Sequence, residues 1–122
     1  MTWIVPRQTL GPVHRVFLHN LVEHGTVLFW PSGLSQLQIG QVEIRKCTGK
    51  GRNHSGLAAS VSAPSRWGGE DILLTGDCNY ENIPDWDDVY HHVVVPHHGA
   101  QMPSPSVPCP DSNKLSCAVI SR

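Results

Sequence analysis

The chain has 122 residues and a net charge of −1 with histidine neutral, and 39% of its residues are hydrophobic. This composition is typical of one globular domain and excludes a disordered chain. The near-zero charge provides no basic field for a nucleic acid. No apolar run approaches the ~18 residues of a membrane span, and the N-terminus has no signal-peptide pattern. We therefore expect a cytoplasmic protein with no membrane segment.

The four cysteines do not form a zinc-ribbon pattern, because no two of them make a C-x-x-C pair. A disulfide framework is also unexpected in a chain with this many apolar strand segments. We predict free thiols in a reducing cytosol for all four, which are Cys47, Cys78, Cys109 and Cys117.

The N-terminal part of the chain combines short apolar runs with one helical pattern. The run Trp3 to Val5 predicts an edge strand that Pro6 ends. Apolar residues then recur at helical spacing, which predicts a helix from about Pro12 to His24. Residues 26–30 predict a further strand. The apolar face predicted for the helix consists of Val13, Val16, Phe17, Leu21 and Val22.

The remaining chain is rich in strand patterns. The pattern around Gly40 predicts either a strand pair or one strand with a tight bend, and an acidic loop followed by a short helix is predicted up to residue 90, with the helix at 81–90. A proline-rich connector follows at 103–110. The strands predicted in this part are 41–47, 56–62, 71–76, 92–96 and 116–121.

Two of these strands end abruptly in chemically active side chains. Asp77 follows the first, and the pair His97 and His98 follows the second. If the strands are parallel neighbours joined by a crossover, both motifs reach the same edge of the sheet. Carboxylate and imidazole together suit zinc or manganese. The alternatives are that Asp77 caps a turn and that the histidines are solvated turn residues.

A third segment, Asn53-His54-Ser55, precedes the strand at 56–62. One of His54, Asn53 and Ser55 reaches the same edge if that strand lies beside 71–76, although a turn role for Asn53 and Ser55 is equally compatible with their residue types. His91 and His92 stand at the opposite end of their strand, and we expect both to be solvated.

These motifs resemble the second half of a metallo-β-lactamase-fold hydrolase, in the branch attached to bacterial competence (DNA-uptake channel) proteins. The residues that carry the resemblance are Asn53-His54-Ser55, Ile72-Leu-Leu-Thr-Gly-Asp77, Val95-Pro-His-His-Gly99 and Cys117-Ala-Val-Ile-Ser121. The resemblance covers about residues 40–122.

The resemblance implies an α/β fold, a partial αββα sandwich with a mixed β-sheet. It also implies one or two zinc or manganese ions that activate water for hydrolysis of a phosphoester or related bond. Asp77 would be the carboxylate ligand and His97 and His98 would line the site as ligands or proton-transfer groups, with His54 as a further candidate ligand.

The chain departs from the family in lacking its N-terminal metal motif, H-x-H-x-D-H. We therefore expect residues 1–122 to form a single, truncated domain. Two alternative functions are compatible with these motifs. The first is a metal-dependent hydrolase, with nucleic acid or another phosphoester as substrate and with further ligands supplied from outside this chain. The second is a non-catalytic remnant or interaction module that keeps the fold without a complete metal site.

Overall fold

Two compact units divide the chain, Met1–Leu34 and Ser35–Arg122. The computed structural model describes residues 1–64, 69–86, 89–99, 107–108 and 115–120. The helices are α1 (Pro12–His24) and α2 (Gly51–His54), and single 3₁₀ turns occur at Tyr80–Asn82 and Pro96–Gly99. The strands are β1 (Thr2–Val5), β2 (Thr26–Phe29), β3 (Gln36–Ile39), β4 (Val42–Lys46), β5 (Leu57–Ala63), β6 (Glu70–Leu74), β7 (His92–Val94) and β8 (Cys117–Val119).

The first unit is a strand, helix and strand in which β1 and β2 pair in parallel. Helix α1 has the predicted bounds, since Pro12 occupies its first turn and the chain leaves helical geometry at Gly25. All of its residues are described, and none is buried. The predicted apolar face therefore remains largely exposed, with Val13 79% and Phe17 54% accessible.

The second unit is built on a six-stranded mixed sheet in the order β3-β4-β5-β6-β7-β8. Strands β3 to β6 form an antiparallel meander, whereas β6, β7 and β8 are parallel. Gly40 makes the first hairpin possible with a φ of +60°, a region that favours glycine. The mixed sheet and the parallel neighbours at 71–76 and 92–96 are confirmed.

One face of this sheet is covered and forms the core. In β6, Leu73 is 1% exposed while Leu74 is 40% exposed, as the two-residue period of a strand requires. Trp86 and Val93 pack against the edge of the buried cluster. The buried residues of that cluster are Cys47, Ala58, Leu73, Cys78, Tyr80, Ile83 and Tyr90.

The helix predicted at 81–90 is wrong. The chain makes one 3₁₀ turn at Tyr80–Asn82, and Asp85 then adopts a left-handed conformation with a φ of 53°. Pro84 explains the difference, because proline disfavours helical geometry at the preceding residue and removes a backbone donor. Residues 87 and 88 lie outside the described part.

His91 is also not solvated as predicted. Its side chain is 5% exposed, and its Nδ1 accepts a hydrogen bond from the backbone N–H of Asp71 at 2.9 Å. The bond joins the residue before β7 to β6, so His91 helps fix the start of the parallel pair. The connector predicted at 103–110 is described only at Val107 and Pro108. None of the described helices has the length and apolarity needed to cross a membrane.

Candidate functional site

One edge of the six-stranded sheet gathers the segments that precede β5 and follow β6 and β7. Ala59 of β5 pairs with Leu74 of β6 in antiparallel register, and Leu74 pairs with Val94 of β7 in parallel register. The start of β5 therefore lies at the same edge as the ends of β6 and β7. This confirms the predicted topology and brings the three candidate segments to one edge.

His54 and His97 meet at this edge. Their ring centroids are 5.5 Å apart and their planes are inclined by 74°, an edge-to-face arrangement. The two residues are 43 positions apart in sequence, so the contact depends on the pairing of β5, β6 and β7. The third segment predicted from the sequence thus reaches the same place as the Pro-His-His-Gly segment.

Asn79, which was not predicted as a site residue, orients the His97 ring. The distance between His97 Nε2 and Asn79 Oδ1 is 2.9 Å, and Asn79 Nδ2 donates to Glu81 Oε1 at 3.5 Å. Since the amide nitrogen is directed to a carboxylate, the amide oxygen faces His97 and accepts its Nε2–H. Its position could have indicated this role, because Asn79 stands only two residues after Asp77.

The backbone around His97 is strained. His97 has a φ of 51°, which costs a non-glycine residue on the order of 1–3 kcal/mol. Gly99 has a φ of +80°, and a Cβ placed there would lie 3.1 Å from Cγ2 of Ile120. The surrounding packing therefore holds the Pro96–Gly99 turn in an unusual conformation. The side chain of His98, the other predicted site residue of this turn, lies outside the described part of the chain.

Asp77 stands on a turn that Gly76 and Thr75 define. Gly76 has a φ of +56°, and the N–H of Cys78 donates to the carbonyl of Thr75 at 3.2 Å. The buried Thr75 hydroxyl donates to the Val94 carbonyl at 2.8 Å, which ties the end of β6 to β7. Asp77 itself is exposed. The turn thus presents its carboxylate to solvent at the edge.

His54 is the last residue of helix α2, and a buried cysteine contacts its backbone carbonyl. The thiol of Cys78 donates to the His54 carbonyl at 3.6 Å. The Nδ1 atom of His54 is buried and has no hydrogen-bond partner among the described residues. A buried ring nitrogen without a partner is costly in a folded protein, and such atoms occur where an ion or water completes the site.

Two buried thiols lie directly beneath this edge. A hydrogen bond between the side chains of Cys47 and Cys78 lowers the pKa of Cys47 and raises that of Cys78. Burial disfavours both thiolates as well. Both thiols are free, as predicted, and so is Cys117, whereas Cys109 lies outside the described residues.

The described residues do not complete a metal site. Within the described ranges, no three His, Cys, Asp or Glu side chains are grouped closely enough to hold an ion. His54 and His97 supply two imidazoles, whereas a zinc site needs about three or four ligands. The structure therefore brings together part of the predicted ligand set.

Comparisons of the chain with protein-family models, with curated proteins and with solved structures each found no match. The motifs and the geometry of this edge are therefore the basis for assigning a function to the chain.

Proposed function

We propose that this chain carries part of the active site of a metal-dependent hydrolase of the metallo-β-lactamase superfamily, acting on a phosphoester or related bond. The observation that carries the proposal is the His54–His97 contact, with ring centroids 5.5 Å apart at the edge to which β6 delivers Asp77. Imidazole side chains that converge from separate segments of a chain are typical of metal and acid–base sites.

The second face of the sheet supports an αββα sandwich as the complete architecture. Leu74 pairs with Val94, and Val94 pairs with Val119, so their side chains share one face. Leu74 is 40% exposed and Val119 50% exposed. A row of apolar side chains across three strands favours a second packed layer, as in a sandwich.

The side chains of this chain have distinct roles under the proposal. His97 is held by Asn79 so that Nε2 carries the proton. His54 presents a buried nitrogen with no partner among the described residues, which makes it a candidate ligand. Asp77 and His98 are the ligands that the family resemblance implies. The proposal requires further ligands beyond the described set. We also propose a cytoplasmic location, because the three described cysteines are free thiols.

A non-catalytic module is the second candidate, and two observations favour it. The Nε2 atom of His97 is engaged by Asn79 at 2.9 Å, and the described residues contain no three-ligand group. A chain that keeps the sheet and has lost the metal would show this arrangement.

The deciding experiment measures zinc and manganese bound to the purified chain, together with hydrolysis of bis(p-nitrophenyl) phosphate and of single-stranded DNA. We expect bound metal in the wild type and a loss of about tenfold or more in metal affinity for Asp77→Ala and His98→Ala. His19→Ala is the matched control, since His19 is exposed on α1, where it lies 3.5 Å from Glu23. Equal metal content in the wild type and both site variants would favour the non-catalytic module.

A further inference from the structure

A second group of reactive side chains lies at the opposite end of the parallel strands. Glu70, His92 and Cys117 belong to the adjacent strands β6, β7 and β8. His92 pairs with Ile72 on one side and with Cys117 on the other. Since Glu70 and Ile72 are two residues apart in one strand, all three side chains are placed on the same face of the sheet.

The imidazole of His92 lies between a thiol and a carboxylate. Its Nδ1 is 2.9 Å from Sγ of Cys117, and its Nε2 is 3.5 Å from Oε2 of Glu70. With Nε2–H directed to Glu70, Nδ1 has the lone pair that accepts the thiol proton. A nucleophile in contact with a base that is oriented by a third group is the arrangement of activated thiols.

This geometry suits proton transfer and not metal binding. The thiol and the carboxylate contact opposite nitrogens of one ring, so they cannot ligate the same ion. The part of the chain that the structure describes accordingly contains no metal-ligand group of three at this position.

Solvent reaches this group. Cys117 is exposed, whereas Cys47 and Cys78 are buried. The side chains of His92 and Glu70 are 29% and 45% accessible. A small electrophile therefore has access to the sulfur of Cys117 without any opening of the core.

We propose that Cys117 is a nucleophilic thiol site for α,β-unsaturated carbonyl compounds, with His92 as its base and Glu70 as a positioning residue. His92 Nδ1 takes the thiol proton while the sulfur electron pair forms a bond to the β-carbon. The π electrons move to form an enolate, and the α-carbon then receives the proton from His92. The product contains every atom of both reactants, so the step needs no oxidant and releases no leaving group.

The test measures the rate at which N-ethylmaleimide adds to each cysteine of the full-length chain, followed by tryptic mapping. Cys117 is the only cysteine in the tryptic peptide 115–122, so its adduct is counted separately. We expect Cys117 to react about tenfold or more faster in the folded chain than in the isolated peptide. His92→Gln should remove this advantage, and Glu70→Gln should reduce it while Cys47 and Cys78 stay unreactive.

His19→Gln is the matched control, because it removes an exposed histidine that also lies near a glutamate but has no cysteine beside it. Its Cys117 rate should equal that of the wild type. If the folded wild type reacts no faster than the peptide, the proposal is overturned, whatever the variants do. A His92→Gln rate within about twofold of the wild type, with Cys47 and Cys78 still protected, would overturn the role of His92.

Discussion

At the scale of single residues, the edge site depends on how its polar atoms are paired. Asn79 is 3% exposed and links Glu81 to His97, so one buried amide determines which nitrogen of His97 carries the proton. His54, across the site, has no equivalent partner for its Nδ1 among the described residues. The two imidazoles therefore differ in hydrogen bonding: Asn79 fixes the tautomer of His97, whereas Nδ1 of His54 is available to a ligand.

Replacing Asn79 tests this difference. We expect Asn79→Ala to destabilise the fold by about 1–3 kcal/mol, because the Nε2–H of His97 loses its acceptor in a partly buried position. Urea unfolding measures the loss, and ¹⁵N spectra of the imidazole should show that His97 no longer holds a single tautomer. Asn53→Ala is the control, since Asn53 is exposed on α2 and should change neither quantity. An unchanged His97 spectrum in Asn79→Ala would contradict the assigned role.

At the scale of elements, short turns after the strands set the positions of the reactive side chains. The turn after β6 is tied to β7 through the Thr75 hydroxyl, and the turn after β7 contains two residues with positive φ, His97 and Gly99. The positions of the site side chains therefore depend on backbone conformations that only a few residue types adopt readily.

A substitution at Gly76 measures how much the fold depends on one of these backbone conformations. A Cβ at Gly76 would meet no atom closer than 3.8 Å, so the cost of Gly76→Ala comes from its φ of +56° and not from a clash. We expect a loss of roughly 1–2 kcal/mol in the free energy of unfolding. Gly69→Ala is the matched control, because its Cβ would meet no atom closer than 4.0 Å and its φ is not positive, and it should be neutral or slightly stabilising. Equal stability of the two variants would show that the turn relaxes.

The sequence predicted the elements better than the contacts between them. Apolar runs that end in Asp77 and His97 predicted which strand ends would meet, because neighbouring parallel strands share an edge. The burial of His91 and the contact between His92 and Cys117 were not predicted. Both depend on strand register, which joins residues 20 and 25 positions apart and leaves no local pattern in the chain.

At the scale of the whole molecule, the stability of the fold depends on pH because a tyrosine is buried in the core. Tyr80 is 3% exposed, and burial raises its pKa above the ordinary value of 10.0 because the phenolate is poorly solvated there. In the unfolded chain Tyr80 ionises near its ordinary pKa, while the folded chain keeps the proton. The unfolded state is therefore favoured increasingly as pH rises above about 10.

Tyr80→Phe isolates this contribution. We expect the wild type to lose up to about 1.4 kcal/mol more stability per pH unit than the variant once the pH exceeds about 10. Between about pH 7 and 9 the difference in stability between the two proteins should be constant, because Tyr80 is neutral in both states there. Urea unfolding at several pH values measures this. Parallel pH curves throughout would show that the Tyr80 hydroxyl is solvated.

Strand β7 has only three residues, yet a reactive group stands at each of its ends. His92 at its first position contacts Cys117, and the turn that holds His97 begins two residues after its last. Only four residues, 93–96, separate the two histidines, so we expect a displacement of β7 along its own axis to move both imidazoles together. Substitutions at Val93, which packs on the core, should therefore alter both the reactivity of Cys117 and the metal affinity of the His97 edge. Their effects should combine non-additively with substitutions at His92 or His97.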